Sequence, residues 1–388
     1  MKTVSMSPEI KGWCPGALRP MMSGDGLVVR IRPRGGRLTP VQAKGIADLS
    51  ARHGNGLIDL SSRANVQLRG VAEAAHGALI EGLRALGLID PSTEAEARRN
   101  IVVTPLWRDG DGATDLARAL TEALAAGDAP RTPAKFGYAV DCGPLPVLRD
   151  ISADIRIEQG AMGGLVVRAD GASRGAAATE ETAAAIALRL AEWFLASGGA
   201  PGGRGRMAAH LARGAGLPPE FTLAEAVGTP APAPVPGPLA QGILVGFEFG
   251  QLTAETLSIL ADSGPLRATP WRMFLIEGAA RAPGISGLIT APDDPRLKVV
   301  ACTGAPACPQ ALVATRPVAR ALGSSLAPGR RLHVSGCAKG CAHPGPAALT
   351  LVGRPGGTFD LIRSGIAADP PALTGLVPEA LTPDILSE

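Results

Sequence analysis

ACTGAPACP (residues 301–309) and SGCAKGCAHP (residues 335–344) are the two stretches from which the rest of this chain is read. Cys302, Cys308, Cys337 and Cys341 form a C-x5-C…C-x3-C array, and the segment between the pairs has the spacing of one helix. Four soft thiolates suit a [4Fe–4S] cluster or a tetrahedral zinc. Structural zinc favours C-x2-C knuckles, because two ligands on one small ion must converge from a short turn. The wider gaps in this array suit ligands reaching different corners of a larger group. A free cysteine can also be a small buried hydrophobe. Gly304, Pro306, Pro309, Gly336, Gly340 and Pro344, however, make both stretches loops rather than core strands. Lys339 lies between two of the cysteines, where a cation would favour a more reduced, more negative cluster.

At 388 residues the chain is expected to hold two or three packed units. An apolar fraction of 46% supplies real cores, and the 3% aromatic content means they rest on Ala, Leu, Val and Ile. A net charge of +3 does not by itself point to nucleic acid or membrane. No apolar run reaches the length of a membrane span, and MKTVSMSPEIKGW lacks the apolar core of a signal peptide, so a cytoplasmic location is expected. Six cysteines in such a chain point to metal or redox use rather than a disulfide framework. Cys14 and Cys142, outside the array, are expected to be structural.

Working outward, LVVRIRP (27–33) alternates as a strand, and LTPVQAKGIADLSARHG (38–54) has helical spacing behind a Thr39 cap with Pro40 at the first helical position. A strand pair in GLIDLSSRANVQLRGV and a helix in EAAHGALIEGLRALG follow, giving a compact βαββα-like unit. The pattern returns in ILVGFEFGQLTAETLSILADSG, with Leu252-Thr253 set against Leu38-Thr39. RRNIVVTPLW from Arg98 likewise matches RLKVVACTGA from Arg296, and each is followed by a predicted helix, TDLARALTEALAAG (114–127) and PQALVATRPVARALG (309–323). AKFGYAVDCG (134–143) matches the strand entering Cys337, so Cys142 stands opposite Cys337. The chain therefore reads as two halves, each a small unit followed by a larger α/β unit, and the second half keeps the thiolates. The expected boundaries are 1–95, 96–225, a Pro-rich linker at 226–238, 239–290, and 291–388. LTLVGRPGGTFDLIR reads as a hairpin with a Gly-Gly turn.

Arg63, Arg69, Arg99 and Lys135 fall on strands and turns rather than helix faces, and guanidinium groups so placed suit bidentate capture of carboxylates. His333 enters the second cysteine loop and His343 follows it; both are expected to be hydrogen-bonded structural histidines. No Walker loop, G-x-S-x-G, or G-x-G-x-x-G between strand and helix is present, so reducing equivalents must come from outside the chain.

On these residues the chain resembles the nitrite and sulfite reductase superfamily over nearly its whole length. Within it the likeness is to the precorrin-3B synthase family, carried by WCPGALRPMMSGDGLVVRIRP, GNGLIDLSSRANVQLRGV, PAKFGYAVDCG, SADIRIE and GCAKGCAHPGPAALTLVG. The resemblance implies an α+β fold with a duplicated nitrite/sulfite reductase-like architecture: ferredoxin-like half-domains plus two larger α/β units related by pseudo-twofold symmetry. It implies that Cys302, Cys308, Cys337 and Cys341 hold a [4Fe–4S] cluster, and that a mononuclear non-haem iron activates oxygen. Arg63, Arg69, Arg99 and Lys135 would bind substrate carboxylates, with Asn65 and Gln67 as hydrogen-bond partners. The implied reaction takes precorrin-3A, dioxygen and electrons from an external donor, an NADH-linked reductase or a ferredoxin-like protein. It yields precorrin-3B, hydroxylated at C20 and closed into a γ-lactone by the ring A acetate. A sirohaem-dependent sulfite or nitrite reductase and a non-catalytic electron carrier are the alternatives. Gly137, standing where sulfite reductases carry a second lysine, weighs against the reductase.

Overall fold

Two short strands, each hydrogen-bonded into the sheet of the opposite half of the chain, give the fold its symmetry. The computed structural model describes residues 15–323, 326–327, 329–382 and 385; Cys14 lies outside them. The chain opens with β1 (Met21–Ser23) and β2 (Gly26–Ile31), then β3 (Arg37–Leu38), α1 (Pro40–His53), β4 (Leu57–Leu60), β5 (Val66–Val71) and α2 (His76–Ala85). Helix α1 starts where expected: Thr39 accepts from the Gln42 amide, Gln42 reaches back to Thr39, and Pro40 fills the first turn. Its buried residues Ala43, Ile46, Ala47 and Ser50 form one stripe. In β2, Val29 and Ile31 point into the core, so the intervening Arg30 is carried on the opposite face of the sheet.

The first α/β unit runs through α3 (Thr93–Arg98), β6 (Ile101–Val103), α4 (Ala113–Ala125), β7 (Tyr138–Asp141), β8 (Ile155–Gln159), β9 (Leu165–Ala169), β10 (Arg174–Ala178), α5 (Glu180–Ala196), α6 (Met207–Ala212) and β11 (Ala224–Glu225). The second half repeats the plan. Its small unit is β12 (Gly237–Leu239), β13 (Gly242–Gly246), β14 (Gln251–Thr253), α7 (Ala254–Asp262), β15 (Leu266–Ala268) and β16 (Met273–Glu277). Its larger unit is β17 (Val299–Ala301), α8 (Arg316–Gly323), β18 (Leu332–Ser335), β19 (Ala347–Gly353), β20 (Phe359–Gly365) and β21 (Leu373–Leu376). The Gly-Gly turn joins β19 to β20 as expected.

The sheets mirror one another. The small units have orders β1-β2-β5-β4-β14 and β12-β13-β16-β15-β3, so each takes its last strand from the other half. Gln251 lies opposite Asp59 in one sheet, and Arg37 opposite Arg267 in the other. Helix α1 packs on α7, and one core joins both halves, with Ile46, Leu68 and Leu79 in contact with the cluster that holds Leu252, Leu257 and Phe274. In the larger units β6-β7-β8 and β17-β18-β19 are parallel, and the strands that follow turn antiparallel. The duplicated α+β architecture is thus present in full. The Pro-rich segment between the halves lies along the surface, where the Ala231 amide donates to Pro146 O at 2.8 Å.

The helix between the cysteine pairs is shorter than its sequence suggests, beginning at Arg316 rather than at Pro309. The amides that would start it bond at long range instead: Leu312 N donates to Gly336 O at 2.8 Å, while Val313 O accepts from Ala305 N at 2.9 Å. Among the described residues no helix is long and apolar enough to cross a membrane.

Thr253 caps α7 as Thr39 caps α1, accepting from Thr256 N at 3.1 Å. Thr39→Ala and Thr253→Ala should each cost about 1 kcal/mol, read as a lowered urea midpoint with unchanged slope.

Candidate functional site

Parallel strands end their adjacent chains at one edge of a sheet, and this places two of the cysteines. Cys302 directly follows β17, and Cys337 comes two residues after its neighbour β18. Cys302 N donates to Val334 O at 3.2 Å, and Cys302 Sγ accepts from Gly336 N at 3.2 Å, so the first loop is stitched to the second. Thr315 Oγ1 donates to Cys302 O at 2.7 Å, and Cys308 N closes a turn on Gly304 O at 2.8 Å. In the second loop Ser335 Oγ donates to Cys337 O at 2.7 Å. The Cys337 thiol is pushed up chiefly by burial, with Cys302 and Cys308 adding to the effect. Burial also raises that of Cys341; Lys339 opposes the rise, and Cys337, Cys302 and Cys308 add to it.

Among the described residues, no three or more His, Cys, Asp or Glu side chains converge as the ligands of a single metal ion would. A mononuclear iron thus finds no ready ligand set among the described residues. Cys142 occupies the matching place after β7, packs against the core of its own unit, and has its thiol pushed up to about 12 by burial.

The turn between β1 and β2 clamps the loop that carries Cys308. Ala307 O accepts from Ser23 Oγ at 2.6 Å, Gly24 N at 3.1 Å and Arg69 Nη2 at 3.1 Å. A Cβ at Gly24 would stand 2.0 Å from Pro306 O, so only glycine permits this approach. Arg69 is itself held by both carboxylate oxygens of Asp25, at 2.7 and 3.1 Å.

Between the outer face of the first sheet and the cysteine loops lies a cavity of about 250 Å³, lined by Arg30, Asp59, Gln67, Arg272 and Arg316 together with Cys302 and Cys341. Arg30 donates twice to Gln67 Oε1, at 3.0 and 2.8 Å. Asp59 Oδ1 accepts from Gln251 Nε2 at 2.9 Å and Arg316 Nη2 at 3.2 Å, and Asp59 Oδ2 lies 3.7 Å from Arg69 Nε. Arg272 donates to Ala342 O at 2.9 Å, and burial lowers the pKa of its guanidinium. A larger cavity, about 770 Å³, occupies the corresponding position in the other half; Arg34, Arg37, Trp107, Arg118 and Arg267 line it, and it holds no thiol. Of these two cavities it is the smaller that the cysteines border.

Of the residues expected to bind substrate, Gln67 lines this cavity. Arg63 follows the lining residues Ser61 and Ser62, and its Nη2 donates to Lys135 O at 3.4 Å, so Arg63 lies beside the Lys135 backbone. Asn65 is buried in the β4–β5 hairpin, where its amide donates to Ser61 Oγ at 3.2 Å. Arg69 and Arg99 are held elsewhere. Arg69 secures the Cys308 loop, and Arg99 is buried against Asp90, with two contacts of 2.8 Å and a third bond to Arg32 O at 3.0 Å. Arg30, Asp59, Arg272 and Arg316 were not foreseen. A lone charge within an apolar strand marks Arg30 and Asp59, whereas Arg272 carries no sequence signal.

His333, on β18, is fully buried, and among the described residues neither ring nitrogen has a hydrogen-bond partner. Burial, with His343 and Arg272 nearby, lowers its pKa to about 4, so the ring is neutral at neutral pH.

Residues 19–86 match the nitrite/sulfite reductase ferredoxin-like half domain. A precorrin-3B synthase from a Sinorhizobium species is 30% identical over 403 residues, covering 92% of this chain and 83% of that protein. The solved structure of Mycobacterium tuberculosis NirA protein shares the fold, with a TM-score of 0.59 at 18% identity over 93% of this chain and 79% of that one.

Asp59→Ala would leave Arg316 without its carboxylate partner, while Arg69 would keep Asp25. It should destabilise the protein by about 3 kcal/mol, as expected when one partner of a buried pair is removed; urea unfolding measures this.

Proposed function

The chain belongs to the precorrin-3B synthase family, whose members are oxidoreductases, and on that ground we propose that it is the monooxygenase that converts precorrin-3A to precorrin-3B. The reaction hydroxylates C20 and closes a γ-lactone through the ring A acetate, using dioxygen and electrons from an external donor. The observation that carries this reading is the cavity in which arginines and an amide face Cys302 and Cys341.

The four cysteines suit a [4Fe–4S] cluster: the C-x5-C…C-x3-C array supplies the four thiolates such a cluster takes, and a backbone N–H is already aimed at the Cys302 sulfur. When bound, the cluster would pass single electrons from the donor to the site. The chain's own residues bind and orient the substrate. Arg30, Arg272 and Arg316 present guanidinium groups from three different segments, a geometry that selects a ligand with several carboxylates over one with a single charge. Gln67, and Arg63 with Lys135 beside it, extend the contact outward, and Asn65 stiffens the hairpin that carries them. A cavity of about 250 Å³ admits one edge of a macrocycle rather than the whole, so that edge is the part held against the cysteine loops. Arg69 and Arg99 contribute by fixing the loop and the unit interface rather than by touching the substrate.

Two measurements test the proposal. Protein purified without oxygen should contain cluster iron and sulfide, and on admission of oxygen with precorrin-3A and reductant should give a product heavier by one oxygen atom. Haem absorption together with sulfite or nitrite reduction under nitrogen would overturn it. Cys302→Ser should lose both cluster and product. Arg30→Met should retain the cluster and weaken precorrin-3A binding about tenfold, as expected for one lost charge-assisted hydrogen bond.

A further inference from the structure

We propose that His333 donates its ring N–H to a sulfur of the group held by the four cysteines, and so sets that group's reduction potential above the value the thiolates alone would give. The inference rests on the reading of those cysteines as cluster ligands.

Leu332 and Val334 belong to the core packed under α8, so alternation along β18 turns His333 to the other face of the sheet. There it lies beneath the 337–341 loop. Gly340 takes a left-handed turn, φ +62°, and a Cβ built on it would stand 3.7 Å from His333 Cε1. The ring thus lies against the backbone of Gly340, the residue before Cys341. Other polar groups nearby have partners of their own. Thr350, beside His333 in the sheet, donates its hydroxyl to Gly365 O at 2.9 Å. His343 packs edge-on at 5.8 Å between ring centroids, and its Nε2 pairs with Pro346 O at 3.2 Å.

A fully buried imidazole with both nitrogens unpaired is rare in a native protein, because the lost hydration must be replaced. The 337–341 loop against which the ring lies carries two of the cysteines, whose thiolates, with cluster sulfide, would supply negatively charged acceptors. A hydrogen bond to such a sulfur stabilises the reduced cluster, which carries the greater negative charge, more than the oxidised one.

The test is a redox titration of the intact protein beside His333→Phe, which keeps ring bulk without an N–H, and His333→Gln, which keeps an N–H. The Phe variant should hold wild-type iron and sulfide but a midpoint potential lower by about 59 mV, the shift for a tenfold change in a one-electron couple. The Gln variant should recover part of it. An unchanged potential in the loaded Phe variant overturns the inference. Should that variant fail to load, wild-type protein labelled with ¹⁵N-histidine decides: pulsed EPR of the reduced cluster should show histidine nitrogen coupling, and its absence overturns the inference. Wild-type protein without a cluster would bring down the ligand reading as well, whereas a cluster indifferent to His333 brings down this inference alone.

Discussion

Asp59 is where three separated parts of the chain meet. Its carboxylate extends from β4 in the first half, takes a hydrogen bond from Gln251 on the strand lent by the second half, and pairs with Arg316 at the start of α8. Arg69 stands within 3.7 Å of it. Guanidinium groups brought this close in a partly dry cavity repel one another strongly, because there is little water to screen them. One nearly buried carboxylate offsets that repulsion at Arg316 and Arg69, while Asp25, Gln67 and Ala342 O hold the remaining guanidinium contacts. This carboxylate is thus one of the groups that line the arginine-rich cavity beside the cysteines.

The cysteine loops depend on the same arrangement. Their positions follow from the parallel pairing of β17 with β18, but the segment bearing Cys308 is held from outside its own unit, by the β1–β2 turn and Arg69. The first half therefore does more than form one wall of the cavity. It sets the shape of a loop whose sequence lies nearly three hundred residues away.

Local chemistry was legible in the sequence. The Thr39 cap, the paired Leu-Thr steps before α1 and α7, the Gly-Gly turn and the loop character around the cysteines each follow from residues a few positions apart, and each is present in the structure. The start of α8 was hidden because Leu312 and Val313 bond to distant partners instead of to the helical turn. Arg69 and Arg99 carry the right chemistry for anion capture, yet nothing local reveals that Asp25 and Asp90 stand against them. Asp59 and Arg272 matter only once strands from opposite halves lie side by side, a pairing that periodicity along one segment cannot disclose.

The lending of β3 and β14 bears on how such a molecule diversifies. Because either sheet is completed by its neighbour, the two copies of the duplication are mutually obligatory: the copy without the four-cysteine array can lack that chemistry but not its backbone. Change is then cheapest in the loops after the parallel strands, where one copy keeps Cys302 and the other presents Thr104. Any altered register at β14 would shift Gln251 away from Asp59, and so would be felt in the opposite half before it disturbed its own.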